Sequence, residues 1–118
     1  MQQKPLDGIK ILELSSIVTA SLATMILCDQ GAEVIKVEPT GIGDSMRYLG
    51  TQKGGFSAIF ANCNRGKKSI NLNLKDQKEV KKLLKLVKEA DVFISNYRPG
   101  VNEKLGLGLE DLRKVNPK

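Results

Sequence analysis

The sequence predicts an α/β fold: a mainly parallel sheet with flanking helices. Short aliphatic runs alternate with segments of helical period along the whole chain. The first group, residues 9–38, reads strand, helix, strand. Two strands joined by a helix lie parallel through a right-handed crossover, and elements alternating in this way pack as helices over a parallel sheet.

Each element has a local reason. Ile9–Leu14 is a run of branched and aliphatic residues after the turn formers Pro5-Leu6-Asp7-Gly8, which marks a first strand. Ser15 and Ser16 can cap the helix that follows. Val18–Gln30 carries Leu22, Met25 and Ile26 at helical spacing, and Gly31 stands where a helix closes in the left-handed region. Glu33–Glu38 is a second strand, stopped by Pro39. Glycines at 41, 43, 50, 54 and 55 make residues 40–55 a long mobile loop. A short helical stretch at Ser57–Ala61 precedes Ser69–Leu74, which alternates polar and apolar and so belongs at a sheet edge. Asp76 and Glu79 form a capping pattern ahead of Val80, Leu83, Leu84 and Val87, the i, i+3, i+4, i+7 stripe of an amphipathic helix. Ala90–Tyr97 is a further strand ended by Arg98-Pro99-Gly100, and short helices follow over Val101–Leu105 and Leu109–Val115.

The 118 residues suit one domain with one modest core. The net charge is +6, from 19 basic and 13 acidic side chains. Lys78, Lys81, Lys82, Lys85 and Lys88 fall on one helix as a solvated face, whereas Arg47, Lys53, Arg65, Lys67, Lys68, Lys75 and Arg98 sit near loops and strand ends where they can meet an anion. Two cysteines, no CxxC and no histidine suggest neither a metal site nor a disulfide framework, and a reducing cytoplasmic compartment is the simplest setting. The apolar run 17–28 is too short for a bilayer and follows Asp7 and Glu13, so no membrane partner or export signal is expected.

Ligands of open parallel sheets bind outside the carboxyl ends of the strands, which directs attention to Ser15 and Ser16, Glu38 and Pro39, Lys75, and residues 96–100. The turn Ser15–Ser21 lacks the glycines of a dinucleotide site, and Gly66-Lys67-Lys68-Ser69 lacks the upstream glycine of a phosphate loop. Without histidine there is no hydrolase triad, and Glu13, Asp29, Glu33 and Glu38 all read as strand-edge, helix-end or surface groups. With 4% aromatic residues and no recognisable motif, nucleic acid is not an expected partner. A phosphorylated small molecule fits the basic strand ends better.

Four ordered segments then carry a resemblance. They are Pro5–Leu14; Gly31–Pro39 with Gly43-Asp44 and Arg47; Asn62 and Asn64-Arg65 through Lys68-Ser69-Ile70, Leu72 and Leu74-Lys75; and Ala90-Asp91-Val92 with Asn96–Gly100 and Leu105–Gly108. In this order and spacing they resemble the N-terminal part of the family III CoA-transferases, the group that includes formyl-CoA transferase and α-methylacyl-CoA racemase. The resemblance implies that residues 1–118 are a Rossmann-like CoA-binding segment, truncated relative to the family, of a protein that forms interlocked homodimers. It implies coenzyme A as substrate, passed from an acyl-CoA to a carboxylic acid acceptor, with no metal. Leu72, Lys75, Asn96 and Tyr97 match family positions lining the CoA site, and Lys104 stands where some members place an arginine on a CoA phosphate. Lys75 is expected on a phosphate, Asn96 as a polar anchor, and Leu72 and Tyr97 as apolar walls.

Departures from the pattern matter as well. Thr19-Ala20-Ser21 replaces a common A-G-P, and Asn73 replaces the aspartate of L-D-L-K. The family's nucleophilic aspartate is expected beyond residue 118, so these residues alone are expected to be inactive and, with apolar faces uncovered, to self-associate. Two other readings stay open: the corresponding segment of a 2-methylacyl-CoA racemase, and a CoA-binding or regulatory module without chemistry.

Overall fold

The computed structural model of the protein describes residues 2–118. Strands β1 (Lys10–Leu14), β2 (Glu33–Glu38), β5 (Lys68–Asn71) and β6 (Val92–Ser95) form one parallel sheet in the order β5-β2-β1-β6. Helix α1 (Thr19–Asp29) crosses from β1 to β2, and α3 (Gln77–Val87) carries the chain from β5 back past β1 to β6. The chain therefore runs outward from β1 in one direction and later in the other. That reversal opens a crevice at the carboxyl ends of β1 and β6. Helix α2 (Ala58–Asn64), the short α4 (Val101–Lys104) and α5 (Leu109–Val115) complete the chain. None of the described helices is long and apolar enough to cross a membrane.

Side chains of a strand alternate between faces, and here the two faces carry different chemistry. Leu12 and Leu14 of β1 and Val37 of β2 join Leu72, Leu107 and the Val80, Leu83 and Val87 stripe of α3 in one apolar core. On the opposite face a smaller apolar cluster of Ile11, Ala32 and Val34 gives way, towards the carboxyl ends, to Glu13, Lys36 and Glu38, each no more than 1% exposed. Asp76 accepts from the Lys78 amide to start α3. Glu79 does not complete the expected capping pair; it bonds Lys82 at 2.6 Å instead.

Three local expectations are revised. Loop 40–55 contains a 3-10 turn at Ser45–Tyr48, capped by Asp44, and ends in a small hairpin between β3 (Gln52–Lys53) and β4 (Phe56–Ser57). No side chain caps α1, because the Ser15 hydroxyl is spent on Glu13. The inward face of α1 holds Ala20, Ser21, Thr24 and Met25, while Leu22 and Ile26 remain 40% and 46% exposed. That pattern inverts the ordinary amphipathic helix because the sheet beneath presents a carboxylate, which needs hydroxyl donors rather than methyl groups. Ile59 of α2 and Phe56 of β4 are exposed as well.

Leu83 is fully buried, so Leu83→Ala is expected to cost about 2–5 kcal/mol in urea unfolding. Leu22→Ala, on the exposed face of α1, is expected to cost less than about 1 kcal/mol in the same measurement.

Candidate functional site

Two cavities adjoin at the carboxyl end of the sheet, and Tyr97, just after β6, lines both. The first, of about 350 Å³, is bounded by Leu14, Leu72, Leu74, Tyr97 and Leu105, with Glu38, Asn73 and Lys75 among its polar residues. The second, of about 460 Å³, lies over the β1–α1 turn and takes in Ile17, Asn96 and Arg98. Lys75 is exposed and makes no ion pair among the described residues, which leaves its ammonium free for a ligand. Burial raises the Tyr97 phenol above its usual value, and the Asp44 carboxylate adds to the effect, so the ring stays neutral.

Beneath the cavities lies a closed set of charges. The register places Glu13 of β1 beside Lys36 of β2, and both side chains point towards α1. Glu13 Oε1 accepts from Lys36 Nζ at 2.8 Å and from the Ser15 hydroxyl at 2.5 Å. Its Oε2 accepts from the Thr24 hydroxyl at 2.6 Å and meets Lys67 Nζ at 2.7 Å. Lys36 Nζ also lies 2.9 Å from Asp44 Oδ2. Two carboxylates thus face two ammonium groups, and the set is neutral. A buried charge left without such partners would cost several kcal/mol, on the order of 3–5. Burial alone would push the Glu13 carboxyl up, but hydrogen bonds from Lys36, Lys67, Ser15 and Thr24 outweigh it and hold the group at about 2.

Glu38 follows the same logic at the end of β2. Its Oε1 accepts from the Asp44 amide and Arg47 Nε, both at 2.8 Å, and its Oε2 accepts from Arg47 Nη2 at 2.7 Å and from the Ser69 hydroxyl. Burial opposes ionisation here too, yet these donors hold the carboxyl at about 2. Gly43 makes the approach possible, since a Cβ there would stand 2.9 Å from Glu38 Oε1 at a φ of 71°.

The β1–α1 turn is gripped from two sides. Asn96 Oδ1 accepts from the Ser16 amide at 3.0 Å, and its Nδ2 donates to the Ser16 carbonyl at 2.7 Å and the Thr19 hydroxyl at 2.9 Å. Opposite, Asp44 Oδ1 accepts from the Ile17 amide at 3.1 Å. Ile17 has a φ of 61°, the one positive value at a non-glycine among the described residues. For a β-branched residue this conformation costs on the order of 1–3 kcal/mol.

Residues 6–118 match CoA-transferase family III. The chain belongs to that family. It is 44% identical over 114 residues to the acetyl-CoA:oxalate CoA-transferase of Acetobacter aceti, a match covering 97% of this chain and 29% of the relative. It is 47% identical over 119 residues to the human succinyl-CoA:glutarate CoA-transferase, covering 97% of this chain and 26% of the relative. The crystal structure of Rv3272 from Mycobacterium tuberculosis in its orthorhombic form superposes with a TM-score of 0.89 at 43% identity, over 97% of this chain and 32% of that one. A CAIB/BAIF family protein from Brucella suis also gives 0.89, at 40% identity, over 98% of this chain and 32% of that one. The family III chain thus spans under a third of the length of these relatives.

Within this family III segment, Leu72, Lys75 and Tyr97 come together around the first cavity, with Leu105 beside them. Asn96 lines the second cavity, its side-chain amide spent on the Ser16 main chain and Thr19. Lys104 is exposed on α4 and lines neither cavity. Four of the basic residues expected near an anion are already partnered: Arg47 with Glu38, Arg65 with Asp29, Lys67 with Glu13 and Lys68 with Glu33. The buried roles of Glu13, Glu38 and Asp44 escape a reading of isolated residues. The signal was the alternation of Val34, Lys36 and Glu38 along β2, which puts two charged residues on the face of a parallel sheet that a helix must cover.

A pH prediction follows from the two carboxylates. Unfolded, they titrate near 4.5, and folded near 2. Between those values the unfolded chain binds protons that the folded chain does not, so the stabilisation is complete above the unfolded value and drains as the pH falls towards 2. Urea midpoints are expected to be level near neutrality and to fall steeply below about pH 5, with Glu13 alone contributing on the order of 3 kcal/mol. Glu13→Gln is expected to lower stability at pH 7 and flatten the acid slope; an unchanged slope contradicts the assignment.

Proposed function

We propose that residues 1–118 form the coenzyme A-binding segment of an enzyme that moves CoA from an acyl-CoA to a carboxylic acid. The observation carrying this reading is the first cavity: an apolar slot between Leu72, Leu74, Tyr97 and Leu105, with the unpaired ammonium of Lys75 at its side. A nucleotide thioester needs that combination, an apolar wall for its ring and a cation for its phosphates. Leu72 and Tyr97 supply the wall and Lys75 a phosphate contact. Asn96 serves by fixing the turn that borders the second cavity. Lys104, exposed on α4, is available to a phosphate that extends beyond the cavity.

The relatives act, by name, on acetyl-CoA with oxalate and on succinyl-CoA with glutarate, which supports an acyl-CoA donor and a carboxylate acceptor. The transfer proceeds through a nucleophilic aspartate outside these residues. Its carboxylate attacks the thioester carbonyl and expels CoA thiolate, giving a mixed anhydride. The thiolate attacks the enzyme's own carbonyl of that anhydride, releasing the acyl carboxylate and leaving an enzyme thioester. The acceptor carboxylate then attacks this thioester and expels CoA thiolate, forming a second anhydride; the thiolate attacks its acceptor carbonyl, giving the new acyl-CoA and releasing the aspartate carboxylate. Glu38, the carboxylate of the first cavity, cannot substitute as nucleophile, since both its oxygens are held by Arg47 and neighbouring donors. On this reading residues 1–118 supply the CoA-binding part of the site, and the enzyme acts as a homodimer.

Isothermal calorimetry on the folded chain should show CoA binding at micromolar or weaker affinity. Lys75→Ala is expected to weaken it about tenfold, the loss of one charge-assisted contact. No heat of CoA binding from folded protein, or acyl transfer catalysed by these residues alone, would overturn the reading.

A further inference from the structure

We propose that Asp44 is a positioning residue for the coenzyme A site: it holds the β1–α1 turn in the left-handed conformation at Ile17 that shapes the wall of the second cavity. The inference rests on the CoA reading for its functional consequence, while its structural part stands alone.

Asp44 has one carboxylate and two tasks. Oδ1 accepts from the Ile17 amide at 3.1 Å and from the Met46 amide at 2.9 Å, whereas Oδ2 faces Lys36 Nζ at 2.9 Å. Its own amide is fixed by Glu38 at 2.8 Å, and the residue is 1% exposed, so the acceptor offered to Ile17 has little freedom to move. Nothing in the local sequence favours a left-handed isoleucine; glycine, asparagine or aspartate would be the residues to choose it. An isoleucine stays in that region only when its surroundings over-determine it. Here the surroundings are Asn96 acting on Ser16 from one side and Asp44 acting on Ile17 from the other.

The ionic set supplies the rigidity. Lys36 links Asp44 to Glu13, and Glu13 in turn binds Lys67, so the acceptor for Ile17 is anchored through two strands of the sheet. If Asp44 releases Ile17, the isoleucine relaxes to an ordinary conformation with φ negative. The peptide planes on either side turn, and Ile17 and Val18, which border the second cavity beside Tyr97, are re-aimed. Ligand affinity then falls although no ligand-contacting group has been removed.

Two arms test this on the folded chain. In the arm without ligand, amide hydrogen exchange at Ile17 is read against the core amide of Val37, so that a general loss of stability cancels. Asp44→Ala is expected to speed exchange at Ile17 about tenfold relative to Val37, whereas Asp44→Asn, which keeps a side-chain oxygen, is expected to lower overall stability and leave the ratio within about threefold. Unchanged relative exchange in Asp44→Ala, or an equal rise in both variants, overturns the proposal; where Asp44→Ala does not fold, a tenfold rise in Asp44→Asn overturns it too. In the second arm, Asp44→Ala is expected to weaken CoA binding about tenfold in the unsubstituted background and less than about threefold in an Ile17→Gly background, because glycine needs no holding at positive φ. Equal losses in both backgrounds overturn the link to binding. Absence of CoA binding by the unsubstituted chain sinks the CoA reading and with it that link, and leaves the exchange arm to decide the role of Asp44 in the turn.

Discussion

The buried pairing of Glu13 with Lys36 is the constraint on which the carboxyl end of this sheet is built. A glutamate in the second strand position from the end of β1 and a lysine beside it on β2 cannot sit under a helix unless both are neutralised and their remaining polar atoms are satisfied. Lys67, Asp44 and three hydroxyls meet that demand. Its effects reach into the covering helix, since α1 turns Ser21 and Thr24 inward and leaves Leu22 and Ile26 facing out. The helix is selected for what it donates rather than for what it buries.

The same charges organise the loops that join these strands to their helices. Asp44 brings the segment after β2 against the turn after β1, and Lys67 brings the segment before β5 against β1. Glu38 closes the arrangement by binding Arg47, whose guanidinium lies 4.0 Å over the Phe60 ring. Three loops that a parallel sheet would otherwise leave independent are tied to one electrostatic centre. The apolar core on the other face, around Leu83 and Val37, carries the ordinary hydrophobic stabilisation and positions Leu72 and Leu107 from below.

Much of this was legible in the sequence, and for identifiable reasons. β2, α3 and α5 follow from short aliphatic runs, the Val80-Leu83-Val87 stripe and the Asp76 cap, all of them local signals. The edge position of β5 follows from its alternation. Of the cavity residues, Lys75 and Tyr97 fall among the strand-end positions that this topology brings together, whereas Leu72 lies within the expected strand Ser69–Leu74 and was pointed to by the family resemblance alone. The ionic centre was not reachable in the same way. Whether Glu13 is a surface group or a buried one depends on the register of β1 against β2 and on which face α1 covers, and neither is a local property. For the same reason Arg65, Lys67 and Lys68 looked free for an anion, although their partners Asp29, Glu13 and Glu33 lie more than thirty residues away in sequence.

The apolar slot beside Lys75 is proposed to receive coenzyme A. The most direct test is an amide proton–nitrogen correlation spectrum of the folded chain titrated with CoA. Saturable shifts are expected to concentrate at Leu72, Asn73, Lys75, Tyr97 and Leu105, with smaller ones along Ser16–Thr19. Shifts confined to the lysine face of α3, or none at all at saturating CoA, would contradict it.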